Sequence, residues 1–154
     1  MMKLSSDVLD TMKGRTLCTA ESCTGGGIGA LLTSVSGSSA VYKGGVICYT
    51  NWVKQNVLNV DPELLDREGA VSAPVAQAMA EGVRQLLCAD VAVSVTGLAG
   101  PGGDDYGNPV GTVYIGYADD RLSKVEVFYF EGTRDEVRAQ AEEAALRLIL
   151  INNS

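Results

Sequence analysis

Helical spacing and short apolar runs alternate along the chain, which divides it into predicted helices and strands. Apolar residues at helical spacing, with capping residues and glycine stops, predict helices over about 3–13, 24–35, 51–58, 61–68, 72–86 and 133–151. Short apolar runs predict strands over 15–20, 41–50, 91–96, 110–117 and 124–130, the last two forming an antiparallel hairpin. This alternation predicts a three-layer α/β/α sandwich with a mostly parallel sheet.

Local patterns add detail to three segments. The residues 46–49 are apolar throughout, which is typical of a strand covered on both faces. Asn51 follows this run and is predicted to cap the next helix through its side chain. The segment 104–109 is polar and rich in turn-forming residues, so we expect it to be mobile.

A glycine-rich stretch, TAESCTGGG at 19–27, lies where the first strand gives way to a helix. Ser22 or Thr24 is a candidate N-cap, and the glycines allow a ligand to approach the main chain. Free N–H groups and the positive end of the helix dipole favour an anion there. The alternative interpretation is a capped helix after a tight turn. Ligands of such sheets bind beyond the carboxyl ends of the strands, where 20–27, 49–54 and 96–103 are predicted to meet.

The amino-acid composition excludes several classes of partner, active site and metal site. The 154 residues suit one domain over 1–154, and the net charge of −7 argues against nucleic acid or an anionic membrane as partner. The absence of histidine removes Ser-His-Asp arrangements and His-containing zinc sites, so we expect neither metal nor cofactor. The cysteines form no C-x-x-C pair, and Cys18, Cys48 and Cys88 are predicted core residues. No apolar run is long enough to span a bilayer, and we expect a cytoplasmic location.

Several motifs then occur in a recognisable order: AESCTGG at 20–26, GSSA at 37–40, YTN at 49–51 followed by Lys54, GAVS at 69–72, TG at 96–97, GPGG at 100–103 and PVGT at 109–112. In these residues the chain resembles the CinA C-terminal domain family, the nicotinamide-nucleotide amidases called PncC. The resemblance covers nearly the whole chain. It implies hydrolysis of the carboxamide of nicotinamide mononucleotide to nicotinic acid mononucleotide and ammonia. It also implies a mixed five-stranded sheet and a homo-oligomer, with a dimer favoured.

The resemblance also implies roles by motif position. Ser39 resembles the nucleophile and Lys54 its base, and Tyr49 is assigned to the catalytic set as an orienting residue. The substrate-binding residues implied in the same way are Ser22, Thr24, Gly25, Gly26, Thr96, Gly97 and Arg134. The spacing before Arg134 and the length of the loop 102–108 vary among relatives. Phosphate donors are expected among the N–H groups of 24–27 or 97–103.

Residue chemistry is consistent with this assignment, with alternatives. Without histidine, a serine nucleophile needs a neutral lysine, and Lys54 is predicted in the first turn of its helix, where a cation is disfavoured. Ser22 is an alternative nucleophile to Ser39. Cys23 is a rival nucleophile, because a helix N-terminus lowers a thiol pKa. The alternative to each functional assignment is a purely structural role. The structural roles are a surface residue for Lys54 and Arg134, a turn residue for Ser39, a core aromatic for Tyr49 and a strand-end cap for Thr96. The pair Asp104-Asp105 is either a cation site or solvated. A second function class is a catalytically silent domain that binds a nucleotide or a protein with the same pocket.

Overall fold

The computed structural model describes residues 1–154 and contains five strands and six helices. The strands are β1 (Leu17–Glu21), β2 (Tyr42–Ile47), β3 (Val91–Gly97), β4 (Thr112–Ala118) and β5 (Ser123–Tyr129). The helices are α1 (Met2–Thr11), α2 (Gly27–Thr33), α3 (Asn51–Asn56), α4 (Pro62–Glu68), α5 (Ala73–Leu87) and α6 (Arg134–Asn153), with a 3₁₀ turn at Ser38–Ala40. Each predicted element is present.

The strands form one mixed sheet in the order β2-β1-β3-β4-β5. β1 pairs in parallel with both β2 and β3, whereas β4 pairs antiparallel with β3 and with β5. Only β4 therefore runs against the other strands. The predicted mixed five-stranded sheet is confirmed, but only two of its four strand pairings are parallel, so the sheet is not mostly parallel.

Helices cover both faces of the sheet, which gives the predicted three layers. On one face, α1, α2 and α6 bury a cluster with Leu17, Val93 and Ile115 from the sheet. On the other, the region from α3 to α5 packs on Cys18, Ala20 and other strand residues. Both faces of β1 and β3 are thus covered, and all their residues except Gly97 are buried, including the polar Thr19, Glu21, Ser94 and Thr96.

Three local predictions about caps and exposure are wrong. β2 is an edge strand whose side chains alternate in exposure, and Ile47 is 56% exposed, so 46–49 is not covered on both faces. Asn51 is the first residue of α3, and its N-cap, Thr50, makes no side-chain cap bond. Cys88 is exposed at the end of α5 instead of in the core.

The predicted N-terminal caps of two other helices are confirmed. The side chain of Asp61 caps α4 by accepting from the Glu63 N–H, and Thr133 with Glu136 forms the capping box of α6.

The segment 104–109 is anchored rather than free: Tyr106 Oη donates to Asp66 O over 2.8 Å and Asn108 Nδ2 to Val71 O over 3.0 Å. These bonds contradict the predicted mobility. None of the helices combines the length and apolar character needed to cross a membrane.

Candidate active site

A cavity of about 480 Å³ opens beyond the carboxyl ends of β1 and β3. Its walls come from three strand-end segments, 22–23, 49–54 and 96–102, from Ala70 and Val71 before α5, and from Arg134 at the start of α6. The sheet explains this assembly, because parallel strands end at the same edge and deliver their following loops together. The predicted meeting of the three loops is therefore confirmed.

Ser22 and Lys54 meet at the base of this cavity. Lys54 Nζ lies 3.0 Å from Ser22 Oγ and donates to Cys48 O over 2.8 Å and Tyr49 O over 3.4 Å. Ser22 is 7% exposed and Lys54 1% exposed, so the surface-lysine alternative is wrong. Ser22 follows directly after β1, and Lys54 reaches it from α3 on the neighbouring strand-end loop. Topology thus brings together two residues 32 positions apart.

Burial lowers the pKa of Lys54, because desolvation disfavours its ammonium form. The predicted causes were a position in the first turn of a helix and partial burial. α3 has only six residues, and Lys54 lies in its last turn with its side chain directed back to the preceding carbonyls. The direction of the pKa change and the effect of burial agree with the prediction, whereas the first-turn position does not.

The predicted Ser39–Lys54 pair is wrong. Ser39 is exposed in the 3₁₀ turn before β2, where Leu17 N donates to Val41 O at the amino ends of β1 and β2. The cavity lies at the opposite edge, a strand length of about 13 Å away at roughly 3.3 Å per residue. Ser39 is absent from the cavity lining, and the turn-residue alternative fits its position.

Cys23 also fails as a nucleophile. Its side chain is 6% exposed and belongs to the hydrophobic cluster under α6. Burial raises the pKa of Cys23 to about 12, so the thiol is protonated at neutral pH. The helix end does not lower this pKa as predicted, because desolvation is the larger effect.

The predicted anion site at the start of α2 is filled by the chain itself. The buried carboxylate of Glu21 accepts from Thr24 Oγ1 over 2.7 Å and from the N–H groups of Ile28 and Gly29 over 2.9 and 3.0 Å. The N-cap is Gly26, at φ +98°, so neither Ser22 nor Thr24 caps the helix.

Thr24, Gly25 and Gly26 accordingly lie outside the cavity lining, which contradicts their assignment as substrate-binding residues. Sequence reasoning missed Glu21. The available signal was an acidic residue at the end of an otherwise apolar strand, immediately before the glycine-rich turn.

The remaining predicted residues do meet at the cavity. Tyr49 is 58% exposed, which excludes the core-aromatic alternative, and its hydroxyl accepts from Arg134 Nη2 over 3.3 Å. Arg134 Nη1 also donates to Gly100 O over 2.7 Å, which directs the guanidinium to the glycine-rich loop. Thr96 and Gly97 end β3 at the cavity wall, with Thr96 Oγ1 donating to Ala70 O over 2.8 Å, as the capping alternative predicts.

The loop after β3 offers backbone N–H donors. The sequence analysis predicted only that such donors lie somewhere within 97–103 or 24–27. Ala99, Gly100 and Gly102 line the cavity wall, and their N–H groups donate to no acceptor within the chain. Asn51, which was predicted only as a helix cap, also lines the cavity. The Asp104 carboxylate is used by Asn108 and the Tyr106 N–H, and no group of three His, Cys, Asp or Glu side chains is placed to hold a metal ion.

The similarity to known proteins extends over nearly the whole chain. The family model described as the CinA C-terminal domain matches residues 2–152. A CinA-like protein of Synechococcus sp. (strain RCC307) is 51% identical over 150 residues, which are 95% of this chain and 36% of that protein. A CinA-like protein of Geobacter sp. (strain M21) is 52% identical over 125 residues, 81% of this chain and 30% of its own length. The chain thus spans about a third of the curated relatives it matches.

Solved structures give the same similarity. The competence damage-inducible protein A (ComA) from Klebsiella pneumoniae subsp. pneumoniae MGH 78578 superposes with a TM-score of 0.94 at 35% identity, over 97% of this chain and 94% of that one. The competence/damage inducible protein CihA from Agrobacterium tumefaciens gives a TM-score of 0.92 at 37% identity, over 99% and 95% of the two chains.

Proposed function

The chain belongs to the CinA C-terminal domain family, and on that premise we propose that it is an amidohydrolase with a serine nucleophile and a lysine base. The proposed substrate is nicotinamide mononucleotide, and the products are nicotinic acid mononucleotide and ammonia. The observation that supports this best is the 3.0 Å contact between Lys54 Nζ and Ser22 Oγ at the base of the cavity. A buried lysine with a lowered pKa is the kind of base that a serine needs where histidine is absent.

The first half of the reaction uses the polar surroundings of Lys54. A neutral lysine can donate its two N–H groups to the carbonyls of Cys48 and Tyr49, which leaves its lone pair for the Ser22 hydroxyl proton. Ser22 Oγ then attacks the carboxamide carbon while Lys54 takes that proton. Lys54 returns the proton to the leaving nitrogen, the C–N bond breaks, and ammonia departs from an acyl-enzyme.

The second half reverses the proton path. Water enters after ammonia leaves, Lys54 accepts its proton, and the hydroxide attacks the acyl carbon. Ser22 leaves with a proton from Lys54, and the carboxylic acid product is released. No other group has to transfer a proton in either half of the reaction.

The turn after Ser22 supplies a candidate donor for the oxyanion. The N–H group of Cys23 donates to no acceptor within the chain, although the residue is only 6% exposed. Cys23 also lines the cavity beside Ser22. A donor placed at a developing oxyanion is worth about 10²–10³ in rate elsewhere.

The substrate phosphate is assigned to the other end of the cavity. The N–H groups of Ala99, Gly100 and Gly102 are free to donate, and Arg134 supplies a positive charge beside them. The N–H groups of 24–27 are not assigned this role, because these residues lie outside the cavity lining and Gly25 and Gly27 already donate to Ser22 O and Thr24 O. The cavity volume of about 480 Å³ is within the usual range of small-molecule sites.

All four cysteines are free, which supports the proposed cytoplasmic location.

Ammonia release from nicotinamide mononucleotide by the purified chain tests this proposal. The Ser22→Ala variant should remain folded and lose turnover, because it removes only the attacking oxygen. The matched control is Ser39→Ala, an exposed serine at the opposite sheet edge, which should keep the parent rate. A folded parent protein that binds the nucleotide without releasing ammonia would instead indicate the catalytically silent alternative.

A further inference from the structure

The segment 104–108, which we call the strap, connects two walls of the cavity that are separated in the sequence by α5 and β3. The strap follows the glycine-rich wall 96–102 and bonds to the connection between α4 and α5, where Ala70 and Val71 form part of another wall. No residue of the strap lines the cavity itself. Its influence on a bound ligand therefore has to pass through the two walls.

Asn108 makes the bond that reaches the cavity wall. Its Nδ2 donates to Val71 O over 3.0 Å and to Asp104 Oδ2 over 2.8 Å. A Cβ added at Gly103 would lie 3.6 Å from Asn108 O, so the backbone of Asn108 packs on the residue that follows Gly102. Asn108 thus contacts one wall through its side chain and the end of the other wall through its backbone.

Tyr106 holds the same connection one residue before the wall. Its hydroxyl donates to Asp66 O over 2.8 Å, and its ring packs on Gly69, where an added Cβ would lie only 2.7 Å from a ring carbon. Gly69 is also at φ +79°, so this position requires glycine for its backbone conformation as well as for the close approach of the ring. The ring therefore fixes the residue that leads into Ala70 and Val71.

Asp104 makes the strap itself rigid. Its Oδ1 accepts from the N–H groups of Tyr106 and Asn108, both over 3.1 Å, while Oδ2 accepts from the Asn108 side chain. Burial acts to raise the pKa of Asp104, but the hydrogen bonds from Asn108 and Tyr106 outweigh it and lower this pKa. The carboxyl group is therefore ionised at neutral pH and accepts all three bonds.

We propose that Asn108 and Tyr106 are positioning residues that keep the two walls at the separation that a bound nucleotide needs. The walls are joined at β3 by the bond from Thr96 to Ala70, and the strap joins them again beyond Gly102. If only a fraction of the molecules has the binding geometry, the apparent dissociation constant rises by the inverse of that fraction. This inference rests on the proposed function for the placement of the nucleotide, and neither residue contacts the substrate.

Equilibrium binding of nicotinamide mononucleotide, measured by calorimetry in the Ser22→Ala background to prevent turnover, tests this role separately from catalysis. The variants are Asn108→Ala, which removes the bond to the wall, and Tyr106→Phe, which removes only a hydroxyl group. The matched controls are Asn152→Ala, which removes a similar bond to a backbone carbonyl of α6, and Tyr129→Phe, an exposed tyrosine of β5. Urea unfolding shows whether each variant is folded under the binding conditions.

We expect the dissociation constant to rise by about 3–10-fold in Asn108→Ala and in Tyr106→Phe, which is the effect of one hydrogen bond on the fraction with the binding geometry. With Ser22 present, KM for ammonia release should rise by a similar factor while kcat stays at the parent value, because Ser22 and Lys54 are untouched. Asn152→Ala and Tyr129→Phe should match the parent in both measurements.

A parent-like dissociation constant in a folded Asn108→Ala or Tyr106→Phe protein would overturn the inference for that residue. A fall in kcat at unchanged KM would overturn it for both, since the effect would then lie in the chemical step. Failure of the Ser22→Ala protein to bind the nucleotide overturns it too. A parent that binds the nucleotide with the expected dependence on the strap, but releases no ammonia, refutes the proposed reaction and leaves the role of the strap intact.

Discussion

Replacing Lys54 by methionine should change both activity and stability. The pH dependence of each property reports the pKa of Lys54. The methionine side chain would fill a similar volume without an amine, so the serine would lose its base. General bases contribute about 10²–10⁴-fold, which corresponds to ~3–5 kcal/mol of barrier. The buried carbonyl of Cys48 also loses its donor, at a cost of about 1–3 kcal/mol for a group left buried and unpaired.

The pH dependence of stability separates these effects. Burial lowers the pKa of Lys54 from its usual 10.5, so the folded chain binds fewer protons there than the unfolded chain between the lowered pKa and 10.5. The stabilising contribution of Lys54 is therefore fully present above pH 10.5 and is lost as the pH falls through the lowered pKa. Relative to Lys54→Met, the free energy of unfolding of the parent should rise with pH, by up to about 1.4 kcal/mol per pH unit.

Urea denaturation of both proteins, at intervals of about one unit from pH 7 to pH 10, measures this difference. The pH at which the difference begins to rise should coincide with the midpoint of the kcat/KM profile of the parent, since both report the free protein. A difference in unfolding free energy that stays constant over this range would refute the reasoning. It would mean that Lys54 keeps its ordinary pKa and is not a base near neutral pH.

Three further changes test other parts of the site. Arg134→Ala should mainly raise KM for nicotinamide mononucleotide, because a phosphate remote from the carboxamide supplies binding energy; an unchanged KM contradicts the assignment. Cys23→Ala should keep turnover near that of the parent, and rapid inactivation of the parent by iodoacetamide at Cys23 would refute the raised thiol pKa. Exhaustive EDTA treatment should leave activity unchanged, and loss that one particular ion restores would contradict the serine–lysine mechanism.

Hydrophobic periodicity was sufficient to predict the fold, because each element carries its own apolar pattern. It could not show that β2 lies at an edge, since burial of a strand depends on the order of strands in the sheet. The same limit explains the exposure of Ile47. Apolar side chains on an edge strand look, in sequence, like those of a central strand.

The predicted site residues that line the cavity include Tyr49, Lys54, Thr96 and Arg134, whereas Thr24, Gly25 and Gly26 do not line it although they follow β1. Ser39 was assigned by motif likeness, which says nothing about the edge of the sheet on which a residue falls. The rule that ligands bind at carboxyl ends of strands favours Ser22, which follows β1, over a serine that precedes β2. The role of Glu21 depends on side-chain direction in three dimensions, and no spacing rule reveals it.

The carboxylate that Glu21 places at the start of α2 has a consequence for how the reaction ends. The proposed product differs from the substrate by a negative charge on the group that was the amide. A helix N-terminus would ordinarily retain such a carboxylate, but here its N–H groups are already bonded to Glu21. We therefore expect the start of α2 to contribute nothing to the binding of nicotinic acid mononucleotide.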